Sequence, residues 1–185
     1  LTGRYLDSAS GLRFEPTSAP PYYVSYEVAG IPRDAPSPDA TVFDIKRTYH
    51  TPDGKPWSGG KLAEGDSLIV ELTIQVDEQA PDALVTDLLP AGLEIENFNL
   101  GDAKQWAGVV IDGIEIANRD QASEVRHEEF RDDRYVAALK LDRGDTARLF
   151  YLVRAVTPGT YTVPPPLVED MYRPQLRGVG RRRRD

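Results

Sequence analysis

The chain has 185 residues, 40% hydrophobic and 28% charged, a composition that supports one globular domain with a sizeable core, and no apolar run approaches the ~18 residues of a bilayer span. It has no cysteine, which excludes disulfides and thiolate metal sites and leaves the redox compartment open, and its two histidines, His50 and His127, are too few for a histidine-based metal centre. The formal net charge is −8 and the closing RRRRD adds +3, leaving residues 1–180 at −11, an acidic body without a basic stripe, so no nucleic-acid partner is expected for the folded part.

The opening LTGRYLDSASG lacks the basic start and apolar centre of a secretory signal, so the chain reads as a piece of a longer protein. Residues 22–29, YYVSYEVA, form the first strand candidate. Three prolines in PRDAPSPDA, residues 32–40, then favour a stiff extended connector, and a domain boundary is placed there. On this reading residues 1–40 hold strands of a preceding unit plus the connector, residues 41–180 form the main domain, and residues 181–185 are a basic, solvated tail.

Within the main domain, residues 42–49 are a strand candidate, ended by the turn TPDG. The clearest signal follows in SLIVELTIQV, residues 67–76, where Leu68, Val70, Leu72, Ile74 and Val76 share one face and Glu71, Thr73 and Gln75 the other. Further strands are predicted over 83–88, 93–97, 109–116, 124–130, 134–141, 146–156 and 160–163, with a turn of helix around 100–106. In 134–141, Tyr135, Ala137, Leu139 and Leu141 again share a face. Short strands punctuated by PAG, DRGD and TPG predict an all-β fold, an antiparallel β-sandwich of the immunoglobulin or fibronectin kind.

Catalytic constellations are missing. There is no G-x-S-x-G elbow and no phosphate loop, and both histidines read as solvated. The acids Glu128, Glu129, Asp132 and Asp133 lack calcium-loop spacing and alternate with Arg126, Arg131 and Arg134, so they read as a mixed-charge turn. Trp57 and Trp106 read as core or interface anchors. No cofactor or metal is implied, and no enzymatic role.

One segment stands apart. In TVPPPLVEDMYRPQLRG, residues 162–178, prolines flank the adjacent Met171 and Tyr172, which predicts an extended path along an edge rather than an ordinary strand. An adaptable Met beside a large amphipathic Tyr suits packing against another domain, while the alternative is that both close the bottom of their own sandwich.

The runs YYVSYEVAGIPRDAP, FDIKRTYHTPDGKPW, LAEGDSLIVELTI, VTDLLPAGLEIEN, HEEFRDDRYVAAL and LFYLVRAVTPGTYTVPPPLVEDMYRPQLRGVG, in that order, resemble the C-terminal end of bacterial alpha-2-macroglobulins. The resemblance implies a terminal macroglobulin-like β-sandwich preceded by closing strands of a complement-like domain. It implies a parent that is a periplasmic or envelope-associated protease trap, with a bait region and a thioester-type domain. The implied partners are other domains of the same parent chain, target proteases met through the parent, and a cell-wall synthase or sister envelope proteins. In thioester-bearing members the last sandwich contributes a Met-Tyr pair that shields the reactive bond, and Met171 and Tyr172 occupy the matching place in VEDMYRP. HEEFRDDRYVAAL is closer to the branch without a thioester, and the basic tail departs from the family pattern. A competing reading is an Ig-like module of a bacterial surface adhesin, since VTDLLPAGLEIE resembles such repeats; a third is an envelope scaffold domain.

Overall fold

The computed structural model describes residues 23, 36–96 and 106–181. The chain divides into two units, Leu1–Pro32 and Arg33–Asp185, and the fold below is that of the second. The strand expected over 22–29, most of the expected helical turn over 100–106 and nearly all of the basic tail lie outside the described residues.

In chain order the strands are β1 (Phe43–His50), β2 (Ser67–Val76), β3 (Ala80–Leu88), β4 (Leu93–Glu96), β5 (Val110–Ile111), β6 (Ile114–Glu115), β7 (Val125–Arg131), β8 (Arg134–Leu141), β9 (Thr146–Ala155), β10 (Leu167–Asp170) and β11 (Arg177–Val179). They build a four-stranded sheet in the order β1-β2-β9-β4 and a five-stranded sheet in the order β11-β10-β3-β8-β7, with β5 and β6 as a separate ribbon. Every pairing between these strands is antiparallel. The fold is the expected antiparallel β-sandwich.

Side-chain alternation explains the core. Phe43, Ile45 and Tyr49 of β1, Leu68, Val70, Leu72, Ile74 and Val76 of β2, and Ala147, Leu149, Tyr151 and Val153 of β9 line the inner face of the first sheet. Ala83, Val85, Ala137, Leu139 and Val168 line the other. Glycine is required where the sheets close at one edge, because a Cβ on Gly178 would lie 2.3 Å from the Phe43 carbonyl oxygen.

The outer face of the first sheet differs from expectation. Glu71 falls on the face opposite the apolar set of β2, yet Ile69 and Glu71 are both buried there. Ile69, Phe150 and Leu152 pack there against Trp106, Ile111 and Ile116 of the segment between β4 and β7, forming a second core. That segment was expected to hold one strand over 109–116. It instead turns back at Asp112 and Gly113, both at positive φ (45° and 85°), pairs β5 with β6, and continues into a 3₁₀ segment, Ile116–Gln121.

Two other expectations fail near the C-terminus. Residues 160–163 join no ladder, and the run continues into Pro164–Pro166, which offer no N–H. Conversely, Leu167–Asp170 is an ordinary inner strand, paired with β3 on one side and β11 on the other, because its four residues all retain N–H groups between Pro166 and Pro174.

Truncating Ile116 to Ala tests whether the second core is integral to the fold. The expected loss is about 2–5 kcal/mol in urea unfolding, as for a buried aliphatic residue. A merely draped segment would change stability by less than about 0.5 kcal/mol.

Candidate functional site

The candidate site is the turn joining β10 to β11, and its placement begins in the interior. Arg47 occupies the inward parity of β1, between Ile45 and Tyr49, and its side chain is 4% exposed. Its Nη1 donates to Oδ1 of Asp87, fully buried on the inner face of β3, and Oδ2 of Asp87 accepts the Tyr151 hydroxyl at 2.7 Å. Burial pushes the Asp87 carboxyl up, against the opposing pull of Arg47 and the Tyr151 hydroxyl. Burial first, then Asp87, also raises the Tyr151 phenol, which keeps it a donor. Tyr151 stacks on Tyr135 with ring centroids 4.6 Å apart, and the Tyr135 hydroxyl donates to Glu128.

The other arm of Arg47 leads to the site. Its Nη2 donates to the Pro164 carbonyl at 2.5 Å, so the interior ion pair holds the start of the proline run. From there Pro166 leads into β10, which ends at Asp170, and Met171 and Tyr172 follow at the turn. The Met171 N–H donates to the Asp82 carbonyl at 2.9 Å. Met171 is 46% exposed and Tyr172 80%, so neither side chain closes the bottom of the sandwich. A shallow groove beside Tyr172 is lined by Glu78, Gln79, Pro81 and Asp82.

Other residues singled out in the sequence lie elsewhere. His50 was expected to be solvated but is 4% exposed, covered at the end of β1, where it bridges Pro56. Its Nε2 lies 2.9 Å from Oε2 of Glu71, and Oε1 of Glu71 lies 3.3 Å from Nη1 of Arg148. Arg148 also meets Asp112 at 3.3 Å, and its backbone N–H donates to the Ser123 hydroxyl at 2.7 Å, tying the outer segment to β9. His127 is exposed on edge strand β7. The acids of the 128–133 stretch form local contacts: Glu129 with Arg131 at 2.8 Å and Asp133 with Arg134 at 2.6 Å. Among the described residues no three acids or histidines are grouped to hold a metal ion. Trp57 packs edge-on to Tyr49 and Trp106 lies in the outer core, so both are core anchors.

Sequence reasoning passed over Arg47 and Asp87. The signal was present as a charge on the apolar parity of each strand, FDIKRTY and ALVTD, where a paired buried ion is the stable solution.

Two packed antiparallel sheets with an exposed Met-Tyr turn place the domain in the class of β-sandwich modules. Residues 43–175 match the family model described as the bacterial alpha-2-macroglobulin MG10 domain, and the chain belongs to that family. It is 59% identical over 184 residues to the alpha-2-macroglobulin of Xylella fastidiosa, covering 98% of this chain and 11% of that protein. The Escherichia coli K12 alpha-2-macroglobulin is 45% identical over 163 residues, covering 86% and 10%. A crystal structure of trypsin-activated alpha-2-macroglobulin from Escherichia coli matches with a TM-score of 0.75 and 45% identity, covering 84% of this chain and 11% of that one. The chain thus spans about a tenth of the length of these relatives. The adhesin reading gives way to the family match.

The interior pair predicts an asymmetric mutational response. Asp87→Ala leaves Arg47 buried and unpaired, and should cost about 3–5 kcal/mol in denaturant unfolding. Replacing both partners, Arg47→Met with Asp87→Leu, should recover most of that loss.

Proposed function

We propose that this chain is a non-catalytic docking domain of a protease-trapping alpha-2-macroglobulin, and that Met171 and Tyr172 seat against another domain of the same parent chain. The observation that carries the reading is the pair itself: two adjacent large side chains, 46% and 80% exposed, on a turn whose N–H groups from 170 to 173 all have acceptors. Large apolar groups held out of their own core serve an interface, and Tyr is among the residues that dominate interface energies. Family membership supports the protease connection, since the matched Escherichia coli relative is described as trypsin activated.

On this reading the domain contributes no bond-breaking step. Target proteases are met by the parent, in the periplasm or at the cell envelope, and this sandwich supplies one face of an interdomain contact. Any thioester covered by the pair belongs to another domain, because this chain has no cysteine. A cell-wall synthase or sister envelope protein is a further class of partner consistent with the reading.

The test is the double variant Met171→Ala, Tyr172→Ala in the parent protein. Docking of the domain, followed by limited proteolysis of the interdomain junctions, should weaken by about 2 kcal/mol or more, roughly 30-fold. The same changes in the 185-residue chain should shift its unfolding free energy by less than about 0.5 kcal/mol. A loss of several kcal/mol in that chain would place the pair in the core and overturn the docking role.

A further inference from the structure

The Met171–Tyr172 turn is built around one buried carboxylate. Asp170 is 1% exposed, and its Oδ1 accepts the backbone N–H groups of Tyr172 at 3.0 Å and Arg173 at 2.8 Å. Its Oδ2 accepts Nη2 of Arg173 at 2.6 Å and Nε at 3.2 Å. The same Nη2 donates to the Gln79 carbonyl at 2.9 Å, so Arg173 staples the turn to the connection between β2 and β3. The Asp170 N–H donates to the Leu176 carbonyl at 3.0 Å, and the Leu176 N–H to the Arg173 carbonyl at 2.7 Å. With the Met171 N–H on Asp82, each backbone N–H from 170 to 173 has an acceptor while the two apolar side chains between them stand in solvent.

Beyond the local turn bonds that Asp commonly makes, this carboxylate is buried and tied through Arg173 to a separate connection. Ordering a loop and its side chains on binding weakens association, and a turn already fixed avoids that loss. We propose that Asp170 and Arg173 are positioning residues that hold Met171 and Tyr172 in one docking-ready orientation, an inference that rests on the docking reading above. Asp170 acts from below through two amides and a guanidinium, and Arg173 carries the constraint across to Gln79. Neither needs to touch the partner.

The clamp also sets a pH dependence. Bonds from Arg173 hold the Asp170 carboxyl below its ordinary value; burial opposes this, and the Tyr172 and Arg173 amides reinforce it. The other charged groups around it are Glu78, Asp82 of β3, and Arg126 of β7, which pairs with Asp82 at 3.0 Å. Because the folded value lies below the unfolded one, the clamp is fully effective above the ordinary carboxylate range. It is lost as pH falls through the lowered value.

Nuclear relaxation of the 185-residue chain reads the clamp directly, since Met171 is its only methionine and gives a single methyl signal. In the unmodified chain the Tyr172 amide and the Met171 methyl should be as ordered as β10. Arg173→Gln, at a half-exposed side chain that leaves the core intact, should mobilise both without changing amide protection in β3 and β8. Asp170→Asn should do the same at every pH, while the unmodified turn should loosen only below the ordinary carboxylate range. In the parent, Arg173→Gln should weaken docking about tenfold, with Arg173→Lys in between. An unaltered turn in both variants overturns the clamp, and a mobile turn with unaltered docking overturns its positioning role. If the Met171→Ala, Tyr172→Ala variant docks normally while Arg173→Gln mobilises the turn, the docking reading fails and the clamp itself stands.

Discussion

The ion pair between Arg47 and Asp87 is the constraint on which the rest of the sandwich depends. It joins the inner faces of the two sheets, with Arg47 on edge strand β1 and Asp87 on central strand β3. Two charges taken from water gain little net stability from their attraction alone, and burial pushes the Asp87 carboxyl up. What the pair supplies is direction. A hydrophobic side chain packs against any apolar neighbour, whereas a guanidinium must find its carboxylate and its carbonyl acceptor together. Arg47 finds Asp87 with one nitrogen and Pro164 with the other, so the relative position of the sheets and the path of the proline run are fixed by one side chain.

A second polar cluster performs the same task on the opposite side of the first sheet. His50, Glu71 and Arg148 lie side by side on β1, β2 and β9, and Arg148 reaches Asp112 in the ribbon. The apolar part of this layer, Trp106, Ile111 and Ile116 over Ile69, Phe150 and Leu152, provides burial. The polar part fixes where the covering segment sits. The first sheet is therefore buried on both faces along part of its length, which explains why β9 reads as a nearly continuous apolar run and why Ile69 and Glu71 of β2 are buried off its apolar face.

Legibility in the sequence followed the strength of local periodicity. The bounds of β2 and β8 agree with expectation, because ten and eight residues of regular alternation leave one solution. VVIDGIEI reads as one strand, although Asp-Gly between apolar pairs is the hairpin signal that the ribbon obeys. Strand β11 escaped notice for a different reason: RGV is short, and its Gly178 serves a close approach to Phe43 that only the folded chain reveals. Met171 and Tyr172 were visible as an oddity between prolines. Asp170 was not, since a carboxylate ending a strand looks solvent-bound until its two amides and Arg173 are seen to converge on it.

The prolines acquire a more exact role from this geometry. They do not prevent a strand, because β10 pairs on both sides. Pro164 and Pro165 themselves offer no ladder donor, the Pro164 carbonyl accepts from Arg47, and Pro174 follows the Met171–Tyr172 tip. Within the stretch they bound, Leu167–Asp170 is a strand of limited length, anchored at one end by a buried arginine and at the other by a buried aspartate. A short element fixed at both ends has little freedom to relax under load. That makes it a suitable mount for two side chains whose proposed role is to meet another domain in a single orientation.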